Sequence, residues 1–373
     1  MKRFYLVVSL LCATICLVGC CSEQQNKTGG FVFSDTLSYN PKSYVCYKTI
    51  SNIVVDGDIS SPEWESAPWS DVFVDIEGDK QQKPLQSTRV KMLWNDTYLY
   101  VAAELKETDV WANLTERESV VFYDNDFEVF IDPDGDSHTY FEYEVNALGT
   151  IWDLLLLKPY RDMSNVALSN WNFNGIQSAV KVYGSINDGS DTDTGWSVEL
   201  ALPLNSIAES SVVKPIDGAQ WRINFSRVEW ATQFRDGKYY KVANPRTGLT
   251  GDGSEFNWVW SPQGVVNMHA PETWGFVQFS DVVAGRGEDK FVYNKNEDVR
   301  WALRRLYYRQ RDWAAATGSY ATNLKDLRVN EIKVDGLNFM PKLSNSHTKY
   351  EITAEGFDGK RLYLSSDGKI IIE

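Results

Sequence analysis

The residues best equipped for chemistry lie in one window, Asp124 to Asp153, which reads DNDFEVFIDPDGDSHTYFEYEVNALGTIWD. Successive side chains of an extended strand point to opposite faces. In the first half, Phe127, Val129 and Ile131 therefore share one face, and Asp126, Glu128 and Phe130 share the other. In the second half, Phe141, Tyr143 and Val145 oppose Glu142, Glu144 and Asn146. The turn Asp132-Pro133-Asp134-Gly135-Asp136 between them predicts an antiparallel pair. Such a pair gathers Asp126, Glu128, Glu144 and Asn146 on one surface. Four chemistries suit that surface. Paired carboxylates about 5 to 10 Å apart in a pocket could act as the acid and base of glycoside hydrolysis. Hard oxygen donors could bind Ca²⁺, with Asp132, Asp134 and Asp136 alternating as calcium-loop ligands do, although the bidentate Glu of an EF-hand loop is absent. The same groups could hydrogen-bond sugar hydroxyls beside stacking aromatics, or simply form a solvated sheet face with an acidic turn.

The elements that must position these residues are short. From about Tyr44 the chain breaks into apolar and aromatic runs separated by turn residues, and it carries 14 Trp, 19 Tyr and 17 Phe, types that favour strands. Strands are predicted over 87–94 and 97–105, joined by Asn95-Asp96, and over 127–131, 140–146, 180–183, 195–203, 220–230 and 275–280. Many short strands with almost no helical periodicity predict an all-β fold, an antiparallel β-sandwich over residues 44–285. The texture changes after Val283. Val299, Ala302, Leu303, Leu306, Tyr307, Trp313 and Ala314 recur at helical spacing, so residues 298–316 are predicted as an amphipathic helix stopped by Gly318. Arg300, Arg304, Arg305, Arg309 and Arg311 make it the one basic stretch, suited to a solvated face, to docking on the acidic sandwich, or to anionic lipid. A short helix near 323–328 and a meander turning at Asp358-Gly359 and Asp367-Gly368 complete a small α+β appendage over residues 290–373.

The chain has 373 residues and a net charge of −14, which disfavours binding to a phosphate backbone and so excludes nucleic acid as the expected partner. Three histidines leave little room for a multi-His metal centre. No Gly-x-Ser-x-Gly elbow, P-loop or Gly-rich dinucleotide turn is present. At the start, Lys2 and Arg3 precede an apolar run from Phe4 to Val18, shorter than the roughly 20 residues of a membrane span. The run ends in Leu17-Val18-Gly19-Cys20, which resembles a bacterial lipoprotein signal. That resemblance implies removal of residues 1–19, lipid on Cys20, a tether over 20–43, and a cell-envelope location, outer-membrane and lipid-anchored, touching the membrane through the anchor only. Cys21 and Cys46 would then remain, so no disulfide framework is expected in this exported fold.

The ordered set of short motifs resembles the family 9 carbohydrate-binding modules and their DOMON-like lipoprotein relatives in Bacteroidota. The matching pieces are Val55-Asp56-Gly57-Asp58 with Trp64, VKMLWNDTYLY over 90–100, DFEVFID over 126–132, Glu144-Val145-Asn146, Gly195-Trp196-Ser197-Val198-Glu199 with Pro203, and Trp274-Gly275-Phe276. The resemblance implies a jelly-roll-like sandwich, an oligo- or polysaccharide partner, structural Ca²⁺ and no catalysis by the module. The chain would thus serve polysaccharide capture or catabolism, with no partner specified for the appendage. Glu128 matches the family's sugar-contacting Glu. The two clamping Trp positions hold Tyr123 and Met268 or His269, and the facing-strand Arg position holds Glu144. Trp111, Trp152, Trp171, Trp258 and Trp260, in loops or at strand ends, are the candidate replacement platforms. Trp64, Trp94, Trp196, Trp221 and Trp274 are expected in the core. The expected sugar site is thus Trp111, Tyr123, Glu128, Glu144, Asn146, Trp152, Trp171, Trp258, Trp260 and His269, and the expected metal ligands are Asp132, Asp134 and Asp136. A glycoside hydrolase acting through Glu128 and Glu144, or an assembly lipoprotein without sugar binding, are the alternatives.

Overall fold

The structure, a computed structural model, describes residues 37–162, 165–208, 215–346 and 348–373. The expected signal segment, Cys20, Cys21 and most of the tether lie outside the described residues. In chain order the strands of the main body are β1 (Ser43–Lys48), β2 (Val74–Asp75), β3 (Thr88–Trp94), β4 (Tyr98–Leu105), β5 (Asp126–Asp132), β6 (Tyr140–Asn146), β7 (Ile151–Leu156), β8 (Ala167–Leu168), β9 (Gln177–Tyr183), β10 (Gly195–Pro203) and β11 (Gln220–Glu229). A small hairpin, β12 (Thr232–Arg235) and β13 (Lys238–Lys241), follows, then β14 (Phe256–Val259) and β15 (Gly275–Val283).

Except for the hairpin, these strands form one 13-stranded sheet, ordered β8-β7-β6-β5-β11-β15-β1-β3-β4-β10-β9, with β14 on β11 and β2 on β14. The sheet folds over on itself, because one apolar cluster joins Phe127, Val129, Phe141 and Tyr143 from one half to Met92, Val101, Val198 and Leu200 from the other. The pairing is antiparallel except at β1, which runs parallel to both β15 and β3 and shifts register between Tyr47 and Lys48. β1 is therefore the seam between the two halves.

Several family-like motifs meet at one buried joint. Glu199 accepts hydrogen bonds from the Asp56 and Gly57 amides at 2.9 and 2.8 Å and from Trp64 Nε1 at 2.6 Å. Gly57 has φ +87°, and a Cβ there would stand 2.8 Å from the Val180 carbonyl carbon, so only glycine fits. Trp64, Trp94, Trp196, Trp221 and Trp274 are all buried, as their motif positions predict.

The long helix Asn296–Thr317 packs Val299, Ala302, Leu303, Leu306 and Tyr307 on a second apolar cluster. That cluster also uses a four-stranded sheet of β16 (Lys342–Asn345), β17 (Tyr350–Glu355), β18 (Arg361–Ser365) and β19 (Ile370–Ile372). Gly318 ends the helix at φ +83°. The basic stretch is a docking face. Arg300 donates to Gly135 O at 2.7 Å, Arg304 to Ser137 Oγ at 2.9 Å and Arg311 to Asp162 Oδ1 at 2.6 Å.

Two expectations need correction. Residues 323–328 form turns, because Arg309 takes the Leu327 and Arg328 carbonyls and Arg328 itself sits at φ +48°. The tether also stops short of residue 43. Tyr39 stacks on Trp301 with centroids 4.3 Å apart, and its hydroxyl accepts from Arg222 at 2.6 Å.

Candidate functional site

On the side of β5, β6, β11 and β14 away from the main core lies a cleft of about 380 Å³. Glu128, Glu142 and Glu144 form its floor with Phe130. Strand alternation puts them there: Glu128 faces Glu144 directly across the ladder, and Phe130 faces Glu142. Trp152, the partner of Glu144 on β7, and Phe122 form one wall, with ring centroids 6.5 Å apart. Tyr160, Met268 and His269 form the other, where Tyr160 and His269 meet edge-on at 4.5 Å.

The floor is acidic and buried. Burial pushes the carboxyls of Asp126, Glu142 and Glu144 well above the usual range, and their mutual repulsion adds to it. Burial pushes Glu128 up to about 7, with the Ser226 hydroxyl beside it pulling the other way. Burial and then the Arg161 charge hold His269 down at about 3, so its ring is neutral, and Nδ1 lies 3.0 Å from the Tyr140 hydroxyl. A neutral ring and a carboxyl floor offer acceptors and donors to hydroxyl groups, and the aromatic walls offer flat apolar faces.

Among the expected site residues, Glu128, Glu144, Trp152 and His269 line this cleft. Tyr123 stands beside it, partly exposed and packed on Phe122 at 4.8 Å, with Lys241 over its ring. Five others do not reach the cleft. Asn146 is fully buried and spends its amide on a turn: Oδ1 accepts from the Leu148 and Thr150 amides, and Nδ2 donates to Leu114 O and Asp124 Oδ2. Trp111 packs with Val228 and Trp230 in a small cluster of its own. Trp171 lies against Phe141 and Phe173, on the core side of the sheet. Trp258 and Trp260 are buried in the main core, with Trp258 Nε1 donating to Glu229 at 2.6 Å. Glu142, Phe122 and Tyr160 are cleft residues missing from the expected set. Strand parity marks Glu142, whereas nothing in the loop sequence marks Tyr160.

The acidic turn lies at the other end of β5. Asp132, Asp134 and Asp136 bring carboxylate oxygens within 4.8 Å of one another, which fits a cation in outline. Much of that oxygen is already used. Asp132 accepts from the Gly135 and Ser137 amides, Asp136 accepts from the His138 amide, and Lys369 pairs with Asp136 at 2.8 Å. A larger hollow of about 580 Å³ lies where the sandwich meets the long helix, but its Arg222, Glu297 and Arg300 pair with one another at 2.6 and 3.3 Å.

The sequence model of the carbohydrate family 9 binding domain-like family matches residues 55–240. Endo-1,4-beta-xylanase A of Thermoanaerobacterium saccharolyticum is 31% identical over 127 residues, which is 32% of this chain and 9% of the xylanase. The chain therefore spans under a tenth of that relative's length. Among solved structures, a protein of Bacteroides uniformis proposed to bind carbohydrate aligns at a TM-score of 0.47 and 17% identity, over 65% of this chain and 100% of that one. A family 9 carbohydrate-binding module of Caldicellulosiruptor kristjanssonii, solved with cellotriose, aligns at a TM-score of 0.37 and 15% identity, over 67% and 98% of the two chains. The same module solved with glucose aligns at 0.38 and 16% identity, over 66% and 99%.

Proposed function

Residues 55–240 belong to the carbohydrate family 9 binding domain-like family, and we propose that this chain binds an oligo- or polysaccharide in the cleft floored by Glu128, Glu142 and Glu144. The observation that carries the reading is the cleft itself. Its carboxyl floor lies between aromatic walls, Phe122 and Trp152 on one side and Tyr160 on the other. Sugars need that combination, hydrogen bonds at the ring edge and flat apolar contact on the ring face.

The chain binds without cleaving. Glycoside hydrolysis places two carboxyls on either side of the scissile bond, about 5 Å apart or more. Glu128 and Glu144 instead sit side by side on one floor, as direct cross-strand partners on the same face of the sheet. Leu17-Val18-Gly19-Cys20, read as a lipoprotein signal, supports a cell-envelope setting for this binding, on a lipid anchor at Cys20. There the module would hold polysaccharide for catabolism by other proteins. A glycan array that includes glucose, cello-oligosaccharides and xylo-oligosaccharides tests the reading. Saturable binding that Trp152→Ala weakens is expected, and an array blank for every glycan would overturn it.

A further inference from the structure

The cleft floor concentrates more acid than hydrogen bonding to a sugar requires. Asp126, Glu128 and Glu144 each bring one carboxylate oxygen within 4.8 Å of the other two. All three are nine-tenths or more buried. Like charges directly opposite on a sheet repel, and a buried carboxylate without a counter-charge is costly. Elsewhere this sandwich meets that cost with arginine. Arg227 pairs with buried Glu107 at 3.1 Å, and Arg117 pairs with buried Asp153. Among the described residues, no Lys, Arg or His forms an ion pair with Asp126, Glu128 or Glu144.

Neutral donors close only part of the gap, the Ser226 hydroxyl beside Glu128 among them. The Val228 amide donates to Asp126 Oδ1 and the Phe122 amide to Glu144 Oε2, each at 3.1 Å. Asp126 Oδ2, Glu128 Oε2 and the neighbouring Glu142 Oε2 are buried and accept from no described residue. Converging carboxylate oxygens with lone pairs to spare are the donor set of a hard divalent cation, and calcium tolerates irregular geometry better than magnesium.

We propose that Asp126, buried beneath the cleft floor, joins Glu128 and Glu144 of that floor in holding a calcium-class divalent cation, with its remaining coordination positions open to sugar hydroxyls. The second half of this rests on the carbohydrate reading above. Calcium takes about 6 to 8 oxygens, so three carboxylates leave positions for water or a sugar diol. This locus is separate from the acidic turn. Asp126 and Asp132 stand at opposite ends of β5 with five residues between them, about 20 Å of extended chain.

Terbium titrated into the full chain, with emission sensitised by Trp152 and reversed by calcium, tests the cation site. Wild type should give saturable emission. Glu128→Gln and Asp126→Asn, each of native shape, should weaken it about tenfold or more, while Asp134→Asn leaves it within about twofold. No emission up to millimolar terbium, or emission lost in Asp134→Asn but kept in Glu128→Gln, overturns the site. A wild-type measurement avoids any folding defect: glycan affinity in excess calcium against excess EDTA. A loss of about tenfold in EDTA supports the bridging role. Equal affinity overturns that role and leaves carbohydrate binding standing. Terbium bound by a chain that holds no glycan supports the site and overturns both the bridge and the carbohydrate reading.

Discussion

Arg222 of β11 and Glu297 of the long helix meet at 2.6 Å, with side chains only 7% and 12% exposed, and so join the sandwich to its appendage. Arg222 completes its contacts with Trp274 O at 2.8 Å, the Tyr39 hydroxyl and the face of Phe276 at 3.7 Å. Breaking such a pair by removing one partner leaves a buried charge without compensation. Glu297→Ala should therefore cost about 3 kcal/mol in urea unfolding, and Arg222→Met with Glu297→Leu should recover most of that. A double variant as weak as the single would show that the pair itself stabilises the joint.

Much of this molecule was legible in the amino-acid order, and the limits have physical causes. The pairing of Glu128 with Glu144 follows from two half-polar strands and a turn, because period-2 alternation leaves no other way to bury Phe127 and Tyr143. The long helix followed from its apolar spacing. The tryptophans were harder. Trp258 and Trp260 share the parity opposite Asn257, which lines the cleft, so one polar residue held the clue to which face was buried. Tyr160 reaches the cleft from a loop whose path only the tertiary fold decides. Tyr39, in an apparently featureless polar stretch, is ordered by Trp301 from a distant helix, a contact that no local pattern reports.

Acid should loosen the same joint through Glu272. Burial pushes this carboxyl up, but the Arg161 and Arg304 charges and the Tyr308 hydroxyl outweigh it and hold the group down at about 2. A carboxyl depressed in the folded state stabilises fully above its unfolded value near 4.5 and loses that contribution as pH falls toward 2. Its share is on the order of 3 kcal/mol at neutral pH. Glu272→Gln should destabilise the protein at pH 7, and the gap to wild type should shrink steadily between pH 5 and pH 2 in a denaturant series, values set by that window. A gap constant with pH would remove Glu272 from the acid limb. His269, whose folded value is also depressed, loosens the fold in the same direction but from a higher starting pH.

In the cleft, calorimetry with any glycan the array identifies should separate wall from floor. Glu128→Ala should cost about 1.5 to 3 kcal/mol of affinity, the scale of a charge-assisted hydrogen bond. Trp152→Ala should cost about 1 to 2 kcal/mol through lost ring contact. Trp171→Phe, on the opposite face of the sheet against Phe141, should change affinity by less than about 0.5 kcal/mol. Equal losses in all three variants would mean that the glycan binds elsewhere and the cleft is a bystander.

The acidic turn gives the last test, because Lys369 already stands where a cation would be useful. Its ammonium lies 2.8 Å from Asp136 and is held above its usual range by the carboxylates of Asp136, Asp134 and Asp132, against the opposing effect of burial. Removing it leaves three converging carboxylates with backbone amides alone, and their repulsion then favours an external counter-ion. In a Glu128→Gln background, which silences the proposed cleft cation, Lys369→Ala should lower the melting midpoint in EDTA. Calcium should restore it, by about 2.7 kcal/mol at a hundredfold excess over Kd. The background protein that keeps Lys369 should respond less, since lysine and calcium compete for the same oxygens. If calcium moves neither midpoint, the turn is neutralised by its amides and by water, and the expectation of calcium at Asp132, Asp134 and Asp136 falls.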